Sequence, residues 1–523
     1  MEDVPEGSFF KNIRVYWLAF IAYWGIILFG YDTGAVVSSN YFLASFGLIN
    51  SDGTTNTSKS NAVSSNVVSV LQAGAFFGAL GSSPISAKIG RRLTLGIFTV
   101  VFCVGAILTT VAEPVTGLGK IYAGRVISGV GIGAISAVAP AYVSECSPKE
   151  VRGRITGCFQ IMVAVGVMLS YFINYGIGIH IATGPNIWRI PFGFQLVPAG
   201  VLLFGLLTLK ESPRFLASVG RNEEALVNLA YLRRSSPESP EIRHELAEIE
   251  AAIFEEMEAR KALGLKEVFL GKGNFIRFFI AFFIFFLQQW AGQNSVNYYA
   301  PQIFAAIGFT ARRNSLLASG IYGVVKVIAT ALFIFFFVES LGRKLSLFIS
   351  AVGMGTLFFI IGAILKTHPP PAVPSGQPPP TNPPPASKAM AAMLYIYVCF
   401  YSMGWGPLPW VYVSDIFSTG TRHHGLALAS ASQWLWNFVV SKITPSLVTR
   451  LGYKIFLVFA SINIGAMAVF AMLIPETKGR SLEEMDVIFG SISSEQRQVD
   501  IDKREQEFNG HQATSIHSSD RKV

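Results

Sequence analysis

The sequence predicts an all-α membrane protein: twelve transmembrane helices in two six-helix halves, with a cytoplasmic helical linker between them. Three observations predict it. Twelve long apolar runs recur along the 523 residues, each near or above the roughly 20 residues that cross about 30 Å of hydrocarbon as a helix. The chain is 51% hydrophobic and 14% charged, against about 25% charged in soluble domains. Charged motifs that follow the first six runs recur, in the same order, after the second six.

The first run, Val15–Ser38, is too long for a secretory h-region and lacks a small-residue cleavage pattern, so it reads as a retained span. Spans two to six follow at Ser64–Ala87, Leu93–Val111, Ala123–Val143, Ile155–Ile177 and Phe192–Leu209. A soluble, charge-rich stretch then interrupts the pattern. Its "SPEIRHELAEIEAAIFEEMEARKA" predicts a helix with Ser239 as N-cap and Pro240 at the first helical position. Spans seven to twelve occupy Phe275–Tyr299, Ser315–Val338, Leu345–Leu365, Ala389–Val413, Leu426–Val448 and Ile455–Ile474. Between spans nine and ten, "HPPPAVPSGQPPPTNPPP" (368–385) is extended polyproline, a stiff spacer or alternatively a peptide ligand. The tail after Gly490 is polar, with the composition of a disordered segment. The expected division is therefore 1–210 and 274–474 for the two halves, 211–273 for the linker and 475–523 for a cytoplasmic tail.

Composition also excludes some functions. The net charge of +9 suits contact with anionic lipid at the cytoplasmic leaflet, and no nucleic-acid partner is expected. Cys103, Cys146, Cys158 and Cys399 lie in or beside spans at no metal-ligand spacing. With no nucleophile–base pair and no phosphate loop either, neither an enzymatic activity nor a cofactor is expected.

The repeat is specific. "IGRRLTL" (89–95) follows span two and "LGRKLSL" (341–347) follows span eight. Glu145 precedes Arg152 by seven residues after span four, and Asp415 precedes Arg422 by seven after span ten. "ESPRF" (211–215) follows span six and "PETKGRS" (475–481) follows span twelve. The linker and both tails fall on the side that carries these motifs. "NTS" at Asn56–Ser58, an N-glycosylation acceptor pattern, falls on the other. Lysines and arginines in short loops favour neither side strongly, so the termini are taken as cytoplasmic on the linker and this pattern.

Two kinds of polar residue interrupt the spans. Asp32 and Lys326 are ionisable groups in apolar runs, where a charge costs roughly 2.5–3.5 kcal/mol on insertion scales and persists because it functions. Span seven carries a cluster of amides and tyrosines, "QQWAGQNSVNYY" (288–299).

With "GRVISGVGIG" (124–133), "PAYVSE" (140–145), "RGR" (152–154), "ESPR", "GPLPW" (406–410) and "PETKGRS", these motifs resemble the sugar porter family of the major facilitator superfamily, especially its fungal members, over essentially the whole chain. One departure is Ala87, where the family's first loop motif usually has an acidic residue. The resemblance implies a plasma-membrane monomer that carries a monosaccharide in symport with a proton by alternating access between parallel halves, its partners a sugar or sugar-like polyol, a proton and membrane lipid.

It also implies where the work is done. Gln288, Gln289, Asn294 and Tyr298 on span seven, Gln160 on span five, Trp405 on span ten, and Trp434 with Asn437 on span eleven would contact substrate. Amides suit hydroxyls because they both donate and accept; interhelical bonding is the alternative role for such groups. Asp32 with Arg125 would couple a proton to the cycle: hydrocarbon favours the neutral carboxyl and a nearby guanidinium the charged one. A structural Asp–Arg pair is the alternative. Lys326 either meets a carboxylate on a substrate such as quinate, pairs within the protein, or snorkels to an edge. Arg91, Arg92, Glu145, Arg152, Glu211, Arg214, Arg343, Lys344, Asp415, Arg422 and Glu476 are expected to form ion pairs that tie the halves together at the inner face. Passive facilitation, a sugar-acid permease and a non-transporting nutrient sensor are the alternative functions.

Overall fold

A computed structural model describes residues 12–31, 40–50, 56–181, 183–262, 269–271, 273–337, 341–371, 380, 382–417, 421–478, 485 and 488–489. Asp32 and part of the polyproline stretch lie outside the described residues. So do the side chains of Arg152 and Arg422.

Among the described residues eleven helices are long and apolar enough to cross a membrane. Span one is Ile13–Gly30, span two Thr57–Ile89, span three Arg91–Thr110, span four Gly119–Cys146 and span five Lys149–His180. Span six runs over Asn186–Thr208. Span seven is two helices, Asn274–Trp290 and Gln293–Ala306, and span eight is Arg312–Leu332 with a π-turn at Phe333–Phe337. Span nine is Arg343–Thr367; span ten is again two helices, Pro385–Met403 and Leu408–Ile416; span twelve runs over Lys454–Leu473. The expected eleventh span falls on Arg422–Leu451. Its 30 residues make a helix of about 45 Å, ample to cross, at about 1.5 Å per residue. It is too polar to read as apolar because Gln433 and Asn437 face an internal cavity.

Two apolar cores follow the halves: one gathers spans one to six with Trp434 of span eleven, the other spans seven to twelve with Val167 and Tyr171 of span five. Spans two and four pack unusually closely, because Gly74, Gly78, Gly129 and Gly133 each face backbone of the opposing helix. A Cβ on Gly133 would lie 2.0 Å from the Ala75 carbonyl oxygen. The halves meet where span two packs on span eleven and span five on span eight.

The linker begins as three helices, Pro213–Ser218, Asn222–Arg233 and Pro240–Ala262. The expected N-cap is in place, since Ser239 Oγ accepts from the Ile242 N–H at 3.4 Å. Arg233 docks the linker onto the first half: its guanidinium pairs with Glu245 at 2.6 Å and donates to the Cys146 carbonyl at the end of span four. Asn56 caps span two, its Oδ1 accepting from the Lys59 N–H.

The close packing of spans two and four gives the first prediction. Gly133→Leu is expected to abolish the monodisperse size-exclusion peak of detergent-solubilised protein. Gly81→Ala, at a position with nothing within 4 Å, is expected to leave that peak unchanged.

Candidate functional site

Span seven cannot be one continuous helix. Gly292 sits at φ +92°, in the left-handed region that glycine enters freely, and a Cβ there would press within about 3 Å of Phe358 and Phe459. A break inside a membrane frees backbone groups that water cannot reach. Here the Ala291 carbonyl accepts from Tyr397 Oη at 2.9 Å and from Asn463 Nδ2 at 3.1 Å. Asn463 opens the π-turn of span twelve, the kind of local unwinding that recurs at functional sites. Span ten breaks likewise around Pro407, and Gln288 Nε2 donates to the freed carbonyls of Trp405, at 2.6 Å, and Gly406, at 3.1 Å.

Between these two breaks lies a cavity. Spans one, five, seven, eight, ten and eleven line it, so both halves contribute. Of the residues expected to touch substrate, Gln160, Gln288, Gln289, Asn294, Tyr298, Lys326 and Asn437 all line this space.

Their hydrogen bonding divides them. Asn294 Nδ2 donates to Gln289 Oε1 and, at 3.3 Å, to Asn437 Oδ1. Asn437 Nδ2 in turn donates to Tyr298 Oη at 2.9 Å and to Gln72 Oε1 at 3.3 Å, which crosses to the other half. These amides are interhelical ties as well as wall groups. Gln160, from span five, reaches the same wall.

Two expected residues are placed differently. Trp405 is fully buried with its indole N–H on the Leu347 carbonyl at 2.9 Å, so its backbone and not its ring serves the site. Trp434 stands edge-on behind Phe29, centroids 5.1 Å apart, and Phe29 is the one that lines the cavity. The aromatic wall is instead Phe29, Phe159, Tyr401 and Trp410 with Tyr298. Sequence reasoning also passed over Asn297 and Gln433. Asn297 lies one helical turn beyond Gln293, so the amide spacing of span seven carried that signal.

Arg125 is buried, with its Nε donating to the Val67 carbonyl at 2.8 Å. Its expected partner Asp32 is outside the described residues.

The described ion pairs among the motif charges differ from the expectation that they join the halves. Arg91 holds Glu145 at 2.9 Å and Arg343 approaches Asp415 at 3.5 Å, yet each pair lies within one half and ties neither half to the other. The reason is that both halves build the same cap. Glu211 accepts from the backbone N–H groups of Arg91 and Arg92 at the start of span three, and Glu476 from those of Arg343 and Lys344 at the start of span nine. Helix N-termini present unpaired N–H groups and a positive dipole end, which a carboxylate satisfies. Burial pushes the Glu476 carboxyl up, but four backbone N–H donors outweigh it and hold the group below the usual carboxylate range. The next residue closes each cap: Ser212 Oγ donates to Glu145 at 2.5 Å and Thr477 Oγ1 to Asp415 at 3.0 Å. On the face opposite the linker the halves are bridged directly. Asn61 donates to Thr449 at 2.8 Å, Gln302 to Ser64 at 3.4 Å, and Lys442 to Asn66.

The chain matches the family model described as "Sugar (and other) transporter" over residues 18–489. It is similar to the probable quinate permease of Neosartorya fischeri, 36% identical over 500 residues that cover 94% of this chain and 90% of that one. The quinate permease of Emericella nidulans is 35% identical over 493 residues, covering 94% and 91%. Among solved structures, the proton:xylose symporter XylE bound to 6-bromo-6-deoxy-D-glucose superposes with a TM-score of 0.74 at 27% identity, covering 92% of this chain and 100% of that one. A partially occluded inward open conformation of the xylose transporter XylE from E. coli gives 0.73 at 26%, covering 90% and 100%.

The two kinds of wall amide make a thermal test. Gln288→Ala orphans the Trp405 and Gly406 carbonyls, a loss of about 1–3 kcal/mol, and is expected to lower the unfolding midpoint in detergent by a few degrees. Gln160→Ala is expected to leave the midpoint within about one degree, since its loss exposes no buried partner.

Proposed function

Because this chain belongs to the sugar transporter family, we propose that it carries a small polyhydroxylated solute, a monosaccharide or a sugar-like polyol, across the plasma membrane in symport with a proton. It is a multi-pass membrane transporter, not an enzyme. On this reading both termini are cytoplasmic and the monomer is the working unit.

The observation that carries the proposal is the cavity between the halves. A sugar-like ring presents hydroxyls that both donate and accept, around faces of C–H. Amides answer the hydroxyls and aromatic walls answer the faces. Gln160 and Gln433 stand toward that space from opposite halves, with Trp410 and Tyr401 beside them.

Alternating access follows from the same geometry. The bridges from Asn61, Gln302 and Lys442 must break for the cavity to open outward, while the paired caps at Glu211 and Glu476 keep the inner ends of spans three and nine fixed within their halves as the halves rock. Proton coupling is assigned to Asp32 with Arg125. What supports it is the buried guanidinium on span four, the position of Asp32 two residues beyond Gly30, and the likeness to a proton:xylose symporter. A second reading, transport of a carboxylated polyol such as quinate, is favoured by the relatives and by Lys326 in the cavity wall.

The test is uptake of labelled xylose, glucose and quinate by transport-deficient cells expressing the full chain, with external pH recorded together. Accumulation above the outside concentration with alkalinisation is expected. Equilibration without alkalinisation would make it a passive facilitator, and no flux with any solute alongside a signalling response would make it a sensor. Asp32→Asn is expected to abolish accumulation while solute exchange across the membrane persists. Concentrative uptake retained in that variant would remove Asp32 from the coupling.

A further inference from the structure

We propose that Tyr171 is a positioning residue of the transport cycle. Its phenol reaches across from the first half and stands in for the backbone N–H that Pro301 cannot give span seven, and it does so only while the face opposite the linker is closed. The inference rests on the reading that the halves rock around the cavity.

Span seven is irregular again beyond Gly292. In an α-helix the carbonyl of Asn297 would accept the N–H of residue 301, and Pro301 has none. The backbone between them leaves helical geometry, with Tyr299 at φ −121° and ψ 24°. Tyr171 Oη, from span five, donates to that Asn297 carbonyl at 2.6 Å. The breaks at Gly292 and Pro407 are answered from within the second half, by Tyr397, Asn463 and Gln288. This one is answered from the first half.

Packing places the hydroxyl. Tyr171 is 4% exposed and, with Val167, sits in the apolar core of the second half. Spans five and eight come this close because Gly323 lies between them: a Cβ there would be 2.8 Å from Met168 Cα and 3.3 Å from Tyr171 Cδ2. The carbonyl that Tyr171 serves belongs to a cavity residue. Asn297 Oδ1 accepts from Gln293 Nε2 at 2.9 Å and from Lys326 Nζ at 3.3 Å, and both Asn297 and Tyr171 line the cavity. Five residues further on, Gln302 makes its bridge to Ser64. The outer part of span seven is therefore tied to the first half twice, at the cavity wall and at the closed face.

The first tie bears on the cycle because its loss is felt in one state. A carbonyl stripped of its donor inside packed protein is costly. Once the halves part on this side, water reaches the carbonyl and replaces the phenol. Removing the hydroxyl thus penalises the closed state alone and shifts the population toward the state open on that face.

The test reads opening directly and needs no solute. Ser64→Cys puts a thiol where Gln302 bridges, at a position 1% exposed. Its reaction with a membrane-impermeant maleimide is timed on intact cells expressing the full chain, with the chain lacking that cysteine as the blank. Adding Tyr171→Phe should speed labelling about tenfold, the loss of one hydrogen bond from the closed state. Pro301→Ala returns an N–H to residue 301, so in that background Tyr171→Phe should change the rate by less than about twofold. An unchanged rate on adding Tyr171→Phe alone would overturn the proposal. So would a tenfold rise that persists with Pro301→Ala, the outcome of lost packing or of misfolding. The expected labelling pattern in a chain that moves no sugar or polyol would overturn the proposed function and leave the role of Tyr171 supported.

Discussion

A helix interrupted within hydrocarbon must have its freed carbonyls satisfied by protein, and that requirement organises this molecule. Spans seven and ten are both interrupted next to the cavity, and the groups that answer them come from other spans. Tyr397 and Asn463 meet the Ala291 carbonyl, and Gln288 meets those of Trp405 and Gly406. The polar residues of the cavity are therefore of two kinds. Some hold the interruptions in place, and others face the space that the interruptions create. A single amide such as Gln288 does both, which is why amide-rich sequence near a glycine marks a site more surely than any one amide would.

The second constraint is symmetry. Each half ends its sixth span with an acidic residue followed by a hydroxyl residue, and each pair does the same two things. The acid caps the span three places back in its half, and the hydroxyl reaches the acidic residue at the end of the fourth. This accounts for the described motif charges repeating within each half. The contacts that cross between the halves are of another kind: single hydrogen bonds, on the face opposite the linker and at the cavity wall from Asn437 to Gln72, and the packing of span two on span eleven and of span five on span eight.

Much of this was legible in the sequence. Apolar runs of sufficient length located the spans, and the repeated motifs located the two halves, because hydrocarbon admits so few backbone solutions. Span eleven was legible by its place in the order and not by its composition, since a helix that faces a cavity carries amides where its neighbours carry leucine. The amides of span seven were legible through their clustering around Gly292. What sequence could not resolve was the direction of individual side chains. Trp405 and Trp434 turn into packing, Phe29 and Trp410 turn into the cavity, and nothing in spacing alone separates them. The partners of Glu211 and Glu476 were equally hidden, because they are backbone N–H groups at helix starts, which leave no mark on residue type.

The account stands on the space between the two interruptions being where the solute is held. A structure of the purified full chain, determined in the presence of a solute that it transports, tests this most directly. The account predicts density for one ring between Gln160 and Gln433, against Trp410. An empty cavity at a concentration that saturates uptake, or density bound elsewhere along the spans, would contradict it.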